Sequence, residues 1–148
     1  ASAHFVAEAL PTAVFICLQR SRVPLAASLL KAQLEIHGSA GIAYGLESPD
    51  GSSGSEAVEG VCRQILYCEW LARQQLERLG PGRFLLVRFE DVQADPRAFV
   101  ERIGREVLGV SVDVSTIDPL SLARPGKPPH DAALAARIEE TFERLSGA

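Results

Sequence analysis

The chain has 148 residues, 47% of them hydrophobic and 23% charged, which suits one ordinary globular domain or part of a larger one. A net charge of −4 argues against nucleic acid or an anionic membrane as a general partner, so any anion must be bound by a local cluster of arginines. No apolar run approaches membrane-spanning length, and Cys17, Cys62 and Cys68 are an odd number at no metal-ligand spacing, which reads as reduced thiols in a cytoplasmic protein without a bound metal.

The elements follow in order. His4 to Leu10 has the pattern of a helix end, stopped by Pro11. Ala13 to Leu18 (AVFICL) is a continuous apolar run of strand length, the pattern of a strand covered on both faces. Gln-Arg-Ser-Arg-Val-Pro follows, and Pro24 suits the first turn of a helix. Leu25, Leu29 and Ile36, with Ala32 between, mark one apolar face, and Gly38 ends the helix. Residues 38–55 are rich in Gly and Ser without periodicity and read as a mobile loop, either a solvated insertion or a lid over an acceptor.

A long helix is expected from Glu56 to Leu79, with Val58, Val61, Ile65, Cys68, Ala72, Leu76 and Leu79 inward. Tyr67 and Trp70 are expected in the core or at its rim, and Glu69, Arg73 and Glu77 form a charge ladder on another face. Gly80-Pro81-Gly82 stops this helix, and Arg83 to Phe89 (RFLLVRF) is the second strand. Asp95 is a good N-cap with Pro96 at the first helical position, starting a helix that turns Phe99, Ile103 and Val107 inward and ends at Gly109. After an irregular stretch to Pro129, a last helix from near Asp131 to Gly147 buries Leu134, Ile138, Phe142 and Leu145. The alternation predicts an α/β fold with parallel strands. Two strands do not complete a sheet, and a chain without Met that opens Ala-Ser-Ala-His in a helix-like pattern reads as starting within a longer protein.

Ligands of open α/β sheets bind beyond the carboxyl ends of the strands, where Arg20 stands just before a helix start with unpaired N–H groups. Ser28, eight residues on, adds a hydroxyl donor. An arginine fork, a helix start and a hydroxyl make a phosphate site conceivable. On these grounds alone an exposed arginine and a small helix-packing serine are the commoner explanation.

"FICLQRSRVPLAASLL" resembles the 3′-phosphate-binding segment of sulfotransferases that use 3′-phosphoadenosine 5′-phosphosulfate (PAPS), in which a strand ends in Arg and a Ser follows eight residues later. Arg20 and Ser28 match those positions. "RFLLVRFEDVQADPRAFVERIGREVLGV" resembles the family's later strand, its Tyr-Glu-Asp-Leu-like turn (here Phe89-Glu90-Asp91-Val92), the Asp95-Pro96 helix start and the closing Val107-Leu108-Gly109. The preceding helix with Trp70 also fits, so the similarity spans roughly Leu10 to Gly109.

The resemblance implies a P-loop-type parallel sheet with flanking helices, incomplete in this chain, which would be the C-terminal part of a single domain. It implies sulfuryl transfer from PAPS, with no metal, to a hydroxyl or amine of a small-molecule, carbohydrate or peptide acceptor. The family has Asp-Pro directly after its Arg, whereas Ser21 and Arg22 intervene here, so either Arg20 or Arg22 could hold the phosphate. Phe89 lacks the hydroxyl of the usual Tyr.

Arg124 and Lys127, in "RPGKPP", lie where the family often has a basic, glycine-containing loop over the nucleotide; a solvated Pro-rich loop fits them equally. Glu90 and Asp91 read as a turn-forming pair, and His4 as a helix-surface residue. No Gly-rich loop with Lys and Ser/Thr precedes Ala13, so the phosphosulfate grip is expected from an upstream half of the domain or a partner chain, and the fragment alone is expected to be inactive. The alternatives are a noncatalytic sulfotransferase-like interaction module and another P-loop-type transferase, such as a small kinase.

Overall fold

A computed structural model of the chain describes residues 3–38, 56–117 and 131–147. The order is the one expected except for α4, a short helix where a turn was expected: α1 (Ala3–Ala9), β1 (Phe15–Gln19), α2 (Arg22–His37), α3 (Glu56–Leu79), β2 (Phe84–Arg88), α4 (Phe89–Ala94), α5 (Pro96–Ile103) and α6 (Ala132–Ser146), with a π-helical turn, Gly104–Leu108, after α5. The two strands pair in parallel, in register from Phe15 with Phe84 to Gln19 with Arg88. This mixed α/β architecture divides into two compact units, one of residues 1–20 and 70–125, the other of residues 21–69 and 126–148.

In the first unit, Ala7, Ala72, Phe84 and Val87 are buried. Arg83, just before β2, organises the entry to β1. Its guanidinium donates to the carbonyls of Ala7 (3.3 Å), Leu10 (3.0 Å) and Ala13 (3.2 Å), tying the end of α1 and the following turn to the start of β2. The backbone tightens the same junction, where the Phe15 N–H donates to the Arg83 carbonyl at 2.8 Å. His4 is not a simple surface residue: its backbone N–H donates to Gln75 Oε1 at 3.1 Å, which ties α1 to the second half of α3.

The expectation that β1 is covered on both faces fails among the described residues. Ile16 and Leu18 are 44% and 53% exposed, whereas Val87, the register partner of Leu18, is buried and lies beside residues of α4 and α5. A run of apolar residues encodes burial on both faces, and these elements supply less than that.

The Asp95 cap forms as read, its carboxylate accepting from the Ala98 N–H at 2.9 Å with Pro96 at the helix start. The helix ends at Gly109 as expected, but its last turn widens into the π form. The chain then folds back over Gly104, where a Cβ would collide with the Val112 side chain and lie 3.0 Å from the Val110 carbonyl. Gly109 adopts φ 66°, a left-handed conformation that glycine takes without steric cost.

In the second unit α2, the first half of α3 and α6 share a core of Ala26, Leu30, Val58, Val61, Cys62, Ile65, Ile138 and Phe142. Two stripes differ from expectation. On α2 the buried positions are Ala26, Leu30 and Gln33, while Leu25 and Leu29 flank the core and Ile36 is 65% exposed. This helix is apolar around much of its circumference, so periodicity alone left its inward direction undetermined. On α3, Cys62 is buried and Cys68 is exposed. Tyr67 and Trp70 are 48% and 52% exposed, which excludes the core and leaves the rim of the two positions expected for them.

Candidate functional site

The carboxyl end of the parallel pair is where the fold presents its chemistry. Gln19 and Arg88 are the last registered partners, so Arg20 and Phe89 are the next residues beyond them. The Arg20 guanidinium lies over the Phe89 ring, 5.7 Å from its centroid, within cation–π range. Arg20 is half-buried and makes no hydrogen bond or ion pair among the described residues. A guanidinium without a carboxylate retains five donors in a fork that matches phosphate geometry.

Arg22 is placed differently. It opens α2, with Ser21 as N-cap, and forks onto Glu69 of α3, Nε to Oε1 at 3.0 Å and Nη2 to Oε2 at 2.6 Å. Its guanidinium also lies over Phe142 of α6 at 5.5 Å. The hydrogen bonds to Glu69 hold its pKa above the usual arginine value, against an opposing effect of burial. Read from sequence as part of a surface ladder, Glu69 is only 19% exposed and anchors this fork. Arg22 thus joins the three described helices of its unit, and gripping another anion would first break a bidentate, charge-assisted pair.

Ser28 is exposed on α2. Arg20 closes the first unit, whereas Ser28 belongs to the second. Arg124 and Lys127 lie outside the described residues, as do residues 39–55 of the loop and His130. Glu90 and Asp91 sit in the first turn of α4, a short helix rather than the turn expected, whose last backbone bond runs from the Asp95 N–H to the Asp91 carbonyl at 3.1 Å. A small cleft of about 170 Å³ beside it is lined by Val87, Asp91, Val92, Asp95, Ala98, Phe99 and Arg102.

Three features had little or no signal in the sequence. Phe89 was read as a lost hydroxyl, whereas its ring carries Arg20. Glu69 was read only in a ladder with Arg73 and Glu77, and its contact to Arg22, 47 residues away, had no signal. Arg83 was read only as the first residue of the second strand, and its guanidinium collects three carbonyls from another segment.

Among the described residues no group of three or more His, Cys, Asp or Glu could hold a metal, and no helix is long and apolar enough to cross a membrane. Cys62 is fully buried, and its desolvation pushes the thiol up to about 11, so it is not a nucleophile at neutral pH. Comparison with curated proteins and with solved structures returns no match. The model of the sulfotransferase family matches residues 1–113. That match covers both strands, the Arg20 junction and the α4–α5 segment, and the chain belongs to the sulfotransferase family.

Proposed function

We propose that this chain supplies the 3′-phosphate site of a PAPS-dependent sulfotransferase whose P-loop-type sheet is completed by an upstream half of the same domain or by a partner chain. Family membership supports sulfuryl transfer in general and a transferase enzyme, and leaves the small-kinase alternative without support. PAPS supplies a sulfuryl group activated as an anhydride with phosphate, which passes to an acceptor hydroxyl or amine. The acceptor is a small molecule, carbohydrate or peptide. Arg20 is the principal contact of the 3′-phosphate, with Ser28 as its second donor on the strength of the matched spacing. Arg124 and Lys127 are assigned to a basic loop over the nucleotide.

One observation carries the choice of Arg20 over Arg22. Arg20 has no ion pair or hydrogen bond among the described residues, and Arg22 is already committed to Glu69. A free fork held beside a ring binds an added phosphate without breaking an existing pair, which fits a group that must take up and release nucleotide. The open Ile16 and Leu18 face of β1 supports a further layer contributed from outside the described residues.

Calorimetric titration of 3′-phosphoadenosine 5′-phosphate into the complete protein tests this reading. Arg20→Ala should cost on the order of 2 kcal/mol, about thirtyfold in affinity, and Ser28→Ala less. Arg22→Ala should lower stability rather than discriminate for the 3′-phosphate. Equal affinity of the wild type, Arg20→Ala and Ser28→Ala would refute the assignment. A coding sequence immediately upstream that lacks a Gly-rich loop with Lys and Ser/Thr would favour the noncatalytic module instead.

A further inference from the structure

We propose that Phe89 is a positioning residue for Arg20, its ring face holding the guanidinium at the carboxyl end of β1 while leaving the donors open. The inference rests on the assignment of Arg20 to the 3′-phosphate and adds a second residue to that site. Two neighbouring strand ends bring the pair together, because Arg20 and Phe89 each follow the last registered partners, Gln19 and Arg88. The guanidinium carbon is 5.7 Å from the ring centroid.

The chemistry of the support matters. A carboxylate at this place would orient the arginine but would also neutralise it and occupy its fork, as Glu69 does for Arg22. An aromatic face attracts the cation through its quadrupole and fills none of the N–H donors. Holding a long, rotamer-rich side chain in advance lowers the ordering cost of the phosphate contact. The two arginines flanking Ser21 make the contrast directly. Each rests on a ring, Arg20 on Phe89 and Arg22 on Phe142, and only Arg22 also carries a carboxylate among its described contacts. On this view the aromatic ring at position 89 is the functional group, and a hydroxyl on it is dispensable.

The test compares, for each variant of the complete protein, binding of 3′-phosphoadenosine 5′-phosphate and of adenosine 5′-phosphate. The ratio isolates the 3′-phosphate and cancels any loss of folded protein. Phe89→Leu and Phe89→Met should lower the preference for the 3′-phosphorylated nucleotide by about threefold to tenfold. Phe89→Tyr and Phe89→Trp should retain it. In NMR spectra of the nucleotide-free protein, the ring-current shift of the Arg20 side-chain protons should vanish in Phe89→Leu and persist in Phe89→Tyr. An unchanged preference in Phe89→Leu and Phe89→Met, or failure of the aromatic variants to retain it, overturns the positioning role while Arg20 keeps its assignment. No preference in the wild type overturns the Arg20 assignment, and the role of Phe89 with it.

Discussion

Replacing Arg83 by Ala removes one side chain and opens three carbonyl contacts. The acceptors belong to Ala7, Leu10 and Ala13, at 3.3, 3.0 and 3.2 Å, and together they fix the passage from α1 into β1. A hydrogen bond from a charged donor nets about 1.5–3 kcal/mol in a protected setting. The setting here is only partly protected, since the contacts to Ala7 and Ala13 are part-buried and that to Leu10 is exposed. About 1 kcal/mol for each part-buried contact and about half that for the exposed one gives a loss of about 2–3 kcal/mol. Lysine places a single ammonium and cannot span three acceptors, so Arg83→Lys should recover less than half of the loss. Urea denaturation followed by far-UV circular dichroism measures the total, and hydrogen exchange at the Phe15 amide, bonded to the Arg83 carbonyl, reports the local effect. A loss below about 0.5 kcal/mol, or full recovery by lysine, would refute the clamp.

Asp95→Ala should destabilise the chain by about 1 kcal/mol through loss of the cap on the Ala98 N–H, and Asp95→Asn should recover most of it in thermal denaturation. Gln33 is 1% exposed and its Oε1 has no hydrogen-bond partner among the described residues, so Gln33→Met, similar in shape and free of polar atoms, should stabilise the second unit by about 1 kcal/mol; a lower melting temperature would contradict that. Thiol titration at pH 8 should label Cys68 first and leave Cys62 unreacted until denaturant is added, because burial protects it and raises its pKa to about 11. Hydrogen bonds from Arg144 and Arg63 hold Glu59 below the ordinary carboxylate value of 4.5, so its contribution is present above that pH and lost as pH falls through the depressed folded value. Glu59→Gln should therefore lower the melting temperature at pH 7, by an amount that shrinks as pH falls below 4.5 and also shrinks in high salt.

Local chemistry was legible from the residues alone. Asp95 followed by Pro96 has one good use, a helix start, and the Gly109 stop and the Asp131 cap follow similarly from capping and backbone preferences. The widened turn at Gly104 was not legible, since it depends on where Val110 and Val112 return, and that return is not a property of any short window. The same holds for α2, whose apolar residues surround it and gave Leu25, Leu29 and Ile36 no less claim to the core than Ala26 and Leu30.

The sequence by itself determined the element order apart from α4, the α/β class, the caps and the strand end at which Arg20 stands, because each depends on residues within a few positions of one another. Only the tertiary structure decided which arginine carries no ion pair among the described residues. Arg20 and Arg22 are two residues apart with the same side chain, and Glu69 and Phe142 come from distant segments to engage one of them. Phe89 comes from the neighbouring strand end to support the other. Charge availability at a site is set by partners in space, and those partners are fixed by packing rather than by proximity along the chain.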